Sequence, residues 1–193
     1  MKKKAKRKTA AASRPAIDHS GYPDTYIAGI LGEAKTIAMV GASAGVNRPS
    51  YFAMKYLIGK GYQVIPVNPT LTGQEILGRK VFASLSDLEG PIDIVDIFRN
   101  SQAALEVVRE AILLKEKLGI KVIWMQLGVR NDEAATEAEA AGLKVVMNRC
   151  PKIEYGRLSG EIGWSGVNAG MLSSKRPLLS GRGVQSHVLS AKR

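Results

Sequence analysis

Residues 36–50 read TIAMVGASAGVNRPS. The first five residues are apolar or β-branched and predict a buried strand, and the small residues after them predict a loop. Pro49 suits the first position of a helix, so the loop ends at a helix N-terminus. Gly41 lets a ligand approach the main chain, and Arg48 adds a full positive charge to the partial charge of the helix end. We therefore predict that this strand, loop and helix hold a phosphate group.

The second predicted strand, residues 63–67, ends at Asn68 and Pro69. Domains that bind nicotinamide dinucleotides usually carry an Asp or Glu here, whose carboxylate accepts hydrogen bonds from the ribose hydroxyls. Because Asn68 stands there instead, the sequence favours a nucleotide with an additional phosphate, or a different ribose contact, over NAD.

Apolar runs alternate with helical patterns along the chain, which is typical of βαβ units and a parallel sheet. We place strands at 36–40, 63–67, 92–98, 121–125 and 144–147, and helices at 22–32, 50–60, 84–88, 101–118 and 132–141. Gly61, Gly119 and Gly142 are expected at helix C-termini, and Trp124 in the core. The predicted fold class is α/β, a Rossmann-like parallel five-stranded sheet with helices on both faces in a single domain. Residues 150–174 have no clear periodicity but are apolar enough to be ordered.

The positive charge is concentrated at the two ends of the chain. The net charge of the 193 residues is +11, yet residues 15–174 contain 16 basic and 17 acidic side chains. Residues 1–14 contain seven basic side chains and residues 175–193 contain five, with no acidic one. We predict basic disordered tails at 1–20 and 175–193 around a folded domain at 21–174. The tails leave open a weak, salt-dependent contact with nucleic acid, which the neutral body does not favour.

The composition disfavours several classes of protein. No apolar run is long enough to span a membrane and the N-terminus does not resemble a secretory signal, so we expect a cytoplasmic protein. A single cysteine, Cys150, excludes an internal disulfide and a cysteine-based metal site. The two histidines, His19 and His187, lie in or beside the tails, which disfavours a catalytic triad. The sequence therefore favours a binding protein over an enzyme.

Ligands of doubly wound sheets bind outside the carboxyl ends of the strands. The five predicted ends carry Gly41-Ala42-Ser43, Asn68-Pro69, Phe98-Arg99-Asn100, Gln126-Leu127-Gly128 and Asn148-Arg149-Cys150. These residues are small, polar or basic, and they include no acid–base pair. The alternative for Arg99 is an ion pair with Asp93 or Asp96, which lie in the same predicted strand.

Several motifs follow one another at these strand ends. They are VGAS at 40–43, RPS at 48–50, PVNP at 66–69, DIVDIFR at 93–99, WMQLG at 124–128 and NRCPKIEYGRL at 148–158. Over about residues 21–174, the chain resembles the stand-alone CoA-binding domain proteins, which are similar to the N-terminal domain of the succinyl-CoA synthetase alpha subunit. The resemblance implies a bound coenzyme A, with its ADP part at the first two strand ends and its pantetheine toward the later ones.

The resemblance also implies a role for each matching residue. Gly41, Ala42 and Ser43 would line the phosphates, and Arg48, Pro49 and Ser50 would present the charge and the helix start to them. Val67, Asn68 and Pro69 would flank the adenosine. Phe98 and Arg99 would close the site, and Gln126 and Gly128 would lie along the pantetheine. The ordered body has no histidine to become a phosphohistidine, and the chain has no second domain for a nucleoside triphosphate. Ligase activity is therefore not implied.

Alternatives to binding of coenzyme A or an acyl-CoA stay open at this point. One is an NAD(P)-binding oxidoreductase subunit, in which Arg48 meets a 2′-phosphate, and another is a scaffold or RNA-associated protein that acts through the tails. Cys150 lies where the thiol of the coenzyme would arrive, so a disulfide with it is a hypothesis, with Arg149 lowering the thiol pKa. The competing interpretation of Cys150 is a small core residue. The oligomeric state, including a homodimer, is not fixed by the sequence.

Overall fold

The computed structural model describes residues 17–161 of the chain. Its strands are β1 (Thr36–Val40), β2 (Gln63–Val67), β3 (Glu75–Ile76), β4 (Arg79–Lys80), β5 (Ile94–Ile97), β6 (Val122–Met125) and β7 (Lys144–Val146). Its helices are α1 (Asp24–Glu33), α2 (Pro49–Gly59), α3 (Ser101–Leu118), α4 (Asp132–Ala140) and α5 (Pro151–Leu158). Five strands form a parallel sheet in the order β2-β1-β5-β6-β7, and β3 pairs antiparallel with β4.

The sheet is covered on both faces, which is why its central strands are continuous apolar runs. One face packs with α3 and α4 through residues such as Val108 and Ala138. The other face packs with α1, α2 and α5 through residues such as Leu31, Met54 and Tyr155. The predicted α/β class, the five-stranded parallel sheet and the helices on both faces are therefore confirmed.

Most predicted boundaries agree with the structure to within two residues. The exact matches are β1, β2 and α3, and the last of these helices ends at Gly119, whose φ of +67° is the left-handed conformation expected of a glycine C-cap. Gly61 and Gly142 follow the C-cap residues of α2 and α4, also with positive φ. The predicted third strand is shorter than expected, and the helix predicted at 84–88 is a single 3-10 turn, Leu85–Asp87.

Two elements escape the sequence patterns. The hairpin of β3 and β4 has strands of two residues each, too short to show any alternation. Helix α5 begins at Pro151, after the N-cap residue Cys150, whose side chain makes no capping hydrogen bond, and it contains Gly156. Pro151 at the first position is a start signal, but Cys is a poor cap and Gly a poor helix former, so the other sequence signals are weak.

The predicted basic tails fall outside the described residues, apart from residues 17–20. Trp164 and the rest of the segment beyond residue 161 also lie outside them, so those expectations stay predictions. Among residues 17–161, no helix is long and apolar enough to cross a lipid bilayer.

Two carboxyl groups have opposite surroundings at strand β5, that of Asp93 directly before the strand and that of Asp96 within it. Asp93 accepts hydrogen bonds from Lys121 and from two backbone N–H groups; although burial opposes it, these bonds hold the pKa of Asp93 below its ordinary value. Asp96 is 0% exposed, between Met39 of β1 and Trp124 of β6. Burial raises the pKa of Asp96 to about 8, against a hydrogen bond from Gln126 that favours the charged form.

Replacement of Asp96 by Asn should weaken the pH dependence of stability. The folded protein keeps a proton on Asp96 that the unfolded chain releases above about pH 4. The stability that this group contributes is therefore present at low pH and lost as the pH rises toward 8. Urea denaturation at about pH 5.5 and about pH 8.5 should show a smaller loss of unfolding free energy for Asp96→Asn than for the wild type.

Asp93→Asn is the matched control for this prediction. Because its pKa is lowered, Asp93 is ionised in both folded and unfolded chains across this pH window. The control should therefore be destabilised equally at both pH values. If Asp96→Asn loses as much unfolding free energy between the two pH values as the wild type does, Asp96 is ionised in the folded protein at both of them.

Candidate functional site

A cavity of about 490 Å³ opens at the carboxyl edge of the sheet. It lies where β5 and β6 end and where α2 and α5 begin. Its lining consists of Pro49, Phe52, Ala53, Phe98, Arg99, Gln126, Leu127, Val129, Cys150, Lys152 and Ile153. Four of the predicted cofactor-binding residues, Pro49, Phe98, Arg99 and Gln126, are among them, as is Cys150. The sequence did not predict the contributions of α2 and α5 through Phe52, Lys152 and Ile153.

The loop after β1 is folded tightly against the start of α2. Gly41 has a φ of +87°, and a Cβ there would lie 2.6 Å from the carbonyl oxygen of Phe98. The N–H of Ser43 donates to the Oγ of Ser50 at 3.1 Å, and the N–H of Gly45 donates to the Oγ of Ser43 at 3.2 Å. These contacts place the predicted phosphate loop beside the end of β5.

Several N–H groups of this loop are available to an anion. The backbone N–H groups of Ala44, Val46 and Asn47 have no acceptor among the described residues, and all three residues are exposed. They lie directly before the N-terminus of α2, whose partial positive charge adds to theirs. The main chain itself therefore provides donors for a phosphate.

Three cations surround the same edge without a carboxylate partner. Arg48 precedes α2, Arg99 follows β5, and Lys152 lies in the first turn of α5. None of the three has an ion pair with any residue between 17 and 161. The site is therefore electropositive.

The alternative of an ion pair between Arg99 and Asp93 or Asp96 is wrong. Asp93 pairs with Lys121 at 2.7 Å, and Asp96 is bonded to Gln126. The partners of the two aspartates are therefore Lys121 and Gln126 and not Arg99, whose side chain is exposed.

Asn68 has a structural use that the sequence analysis missed. Its Nδ2 donates to the carbonyl oxygen of Ala42 at 2.8 Å, and its Oδ1 accepts from the N–H and the hydroxyl of Thr70. The side chain thus ties the β1 loop to the 3-10 turn after β2. The signal was present as an Asn before Pro69 and Thr70, which is a common cap sequence.

The structure does not bring Gly128 to the cavity. Gly128 has a φ of +78°, and its N–H donates to the Oδ1 of Asn148 at 2.8 Å. Its role is to join the loop after β6 to the loop after β7. Gln126, by contrast, lines the cavity and is 5% exposed.

Cys150 reaches the cavity, but Arg149 does not activate it. Burial raises the pKa of the Cys150 thiol, although backbone N–H groups of Ile153 and Lys152 oppose the rise. The guanidinium of Arg149 lies over the Tyr22 ring at 5.7 Å and its Nε is 3.7 Å from Glu154. The expectation that Arg149 lowers the thiol pKa is therefore wrong.

Two further side chains have defined places. Trp124 is buried as predicted and donates from Nε1 to the carbonyl oxygen of Arg149 at 2.8 Å. His19, which the sequence analysis assigned to the N-terminal tail, packs on the folded body. Its Nδ1 is 2.8 Å from the Tyr22 hydroxyl and its Nε2 is 3.3 Å from Glu139. It does not line the cavity.

Comparisons with known proteins agree with this geometry. A family model described as a CoA binding domain matches residues 35–156. The chain is 38% identical over 126 residues to the uncharacterized protein YneT of Bacillus subtilis (strain 168), an alignment that covers 65% of this chain and 89% of YneT.

Solved structures show the same fold. A hypothetical protein from Pyrococcus horikoshii OT3 is 41% identical, with a TM-score of 0.66 over 77% of this chain and 99% of that one. A dinucleotide forming acetyl-coenzyme A synthetase from Ca. Korarchaeum cryptofilum is 24% identical, with a TM-score of 0.53 over 61% of this chain and 26% of that one, a likeness of fold. With its family match, its parallel sheet and the cavity at its carboxyl edge, the chain belongs to the CoA-binding domain family.

Proposed function

We propose that this protein binds coenzyme A or an acyl-CoA at the carboxyl edge of the sheet, without chemical turnover, as a sensor, carrier or regulator. The observation that carries the proposal is the cavity, flanked by loop N–H groups and cations that have no acceptor or carboxylate partner within residues 17–161. Coenzyme A combines a diphosphate and a 3′-phosphate with a long, largely apolar arm. Phosphates suit the N–H groups and Arg48, and the arm suits the apolar wall.

The proposed placement follows the order of the strand ends. The diphosphate lies on the β1 loop, at Gly41, Ala42 and Ser43, with Pro49 and Ser50 at the helix start. The adenosine lies between Val67 and Pro69, and Asn68 supports it from behind through the Ala42 carbonyl. Phe98 and Arg99 then lead to the cavity and Gln126.

The titratable groups around the cavity favour binding over catalysis. Those that line it are Arg99, Lys152 and Cys150, and the Cys150 thiol has a raised pKa. Asp96 lies behind Gln126 and makes its hydrogen bonds to that residue. Cations hold anionic ligands, but this set lacks an oriented nucleophile and base of the kind acyl transfer needs.

Loss of Arg48 or Arg99 should weaken binding of coenzyme A. A hydrogen bond to a charged group contributes about 1.5 to 3 kcal/mol, so each change to Ala should raise Kd by roughly ten- to a hundredfold. Calorimetric titration measures this, with Arg109→Ala as the control. Arg109 is an exposed arginine of α3 that pairs with Glu137, so its removal changes the net charge equally and should leave Kd unchanged.

The choice of nucleotide should follow the extra phosphate. Coenzyme A should bind more tightly than its 3′-dephospho form, because the cations reward the additional phosphate. It should also bind more tightly than NADP, which has as many phosphates but lacks the long arm that suits the apolar wall. Native mass spectrometry of protein purified without added ligand should show the mass of the coenzyme. Tighter binding of NADP would replace the proposal with the NAD(P)-binding alternative.

Cys150 provides a test of where the thiol end lies. In an exchange with the disulfide of coenzyme A, the Cys150 thiolate attacks one sulfur, forms a mixed disulfide and releases one molecule of coenzyme A as its thiolate. We expect intact mass spectrometry to show one added coenzyme on the wild type and none on Cys150→Ser. Because the thiol pKa is raised, the reaction should accelerate with rising pH. Alkylation of Cys150 without any mixed disulfide would place the thiol end elsewhere.

A further inference from the structure

A carboxyl group and a side-chain amide meet behind the wall of the cavity. Oδ1 and Oδ2 of Asp96 lie 2.8 and 3.1 Å from Nε2 of Gln126, and both side chains are buried. Gln126 also lines the cavity. Its amide therefore stands between Asp96 and the space proposed for the pantetheine arm.

The charged form of Asp96 fixes the direction of this amide. A carboxylate only accepts hydrogen bonds, so Gln126 turns its NH₂ group toward Asp96. The remaining atom, Oε1, has no donor among residues 17–161, and it is not among the fully buried unpaired atoms there. Gln126 thus presents an accessible acceptor beside apolar side chains such as Phe52 and Ile153.

An unpaired acceptor in such a wall favours a ligand that brings a donor. Binding is weakened when a ligand covers a polar atom and makes no hydrogen bond to it, because that atom loses its contact with water. A ligand that donates a hydrogen bond to the atom avoids this cost. Coenzyme A and its thioesters share the amide donors of pantetheine and differ at the sulfur. The free thiol carries an S–H donor, whereas a thioester carries a carbonyl oxygen, which is an acceptor.

We propose that Gln126, oriented by ionised Asp96, makes this cavity select the free thiol of coenzyme A over its thioesters, an inference that rests on the proposed function. Gln126 is the residue that meets the ligand, through Oε1. Asp96 is a positioning residue, which acts by holding the NH₂ group away from the cavity. A thioester carbonyl oxygen beside Oε1 of Gln126 is unfavourable, because both atoms are hydrogen-bond acceptors and repel each other.

Asp96→Asn tests the positioning role. The Asn side chain offers an acceptor oxygen as well as an NH₂ group, so it bonds to either end of the Gln126 amide and no longer holds the NH₂ group of Gln126 away from the cavity. Calorimetric titration with coenzyme A and with acetyl-CoA, at about pH 8.5 where wild-type Asp96 is charged, should show the ratio of the two Kd values shifting about tenfold toward acetyl-CoA. Asp93→Asn, which changes the carboxylate directly before β5, should keep the wild-type ratio.

Gln126→Met is the second variant, and it keeps the test open if Asp96→Asn does not fold. It removes the acceptor at similar side-chain length, so coenzyme A should lose its preference while the Kd of acetyl-CoA stays within about twofold. An unchanged ratio in the folded variants overturns the proposal. An equal rise in the Kd values of both ligands also overturns the proposal, because Gln126 would then contact the pantetheine arm that they share. The proposed function would stand in that case. If the wild-type protein binds neither coenzyme A nor acetyl-CoA, both the proposed selectivity and the proposed function are wrong.

Discussion

The close approach of the β1 loop to the end of β5 is the constraint on which the candidate site depends. At Gly41 the main chain turns with a φ of +87°, and a Cβ would lie 2.6 Å from the Phe98 carbonyl oxygen. Any other residue would force the two strand ends apart. Because the loop stays against β5, α2 begins beside Arg99, and the cavity opens between α2 and α5. The position of the β1 loop and the opening of the cavity therefore both depend on Gly41.

The sheet could be predicted from sequence because its central strands are buried on both faces. Such strands are continuous apolar runs, and the central strand β1 was placed to the residue, as was the edge strand β2. Helix α3 was also placed to the residue, since an apolar stripe and a terminal glycine mark it. Helix α5 has a glycine, Gly160, after its C-cap residue Ser159, but it shows no clear apolar periodicity. Its position depends on tertiary contacts, such as Tyr155 packing edge-on against Tyr56 and Tyr62.

The candidate site could be predicted only in part, for a geometric reason. Carboxyl ends of neighbouring parallel strands meet at one edge, so Phe98, Arg99 and Gln126 come together whatever their partners. Hydrogen-bond partners depend on distances that the sequence does not contain. Asn68 was interpreted as a replacement for the ribose-binding acid, beside the adenosine, and the sequence did not show that its amide donates to the Ala42 carbonyl oxygen. Arg149 was interpreted as an activator of the neighbouring thiol, yet it lies against Tyr22.

Asp93, directly before β5, and Asp96, within it, differ in how far their partners account for their burial. Asp93, at the amino edge, is fully paired by Lys121 and two backbone N–H groups, so its burial serves the fold. Asp96, near the carboxyl edge, is more deeply buried and has one amide as its partner. A core position between Met39 and Trp124 would be more stable with an apolar residue, because a buried carboxyl group loses its hydration. Its hydrogen bonds to Gln126 connect this carboxyl group to a residue that lines the cavity, which is why we look for its role there rather than in the sheet.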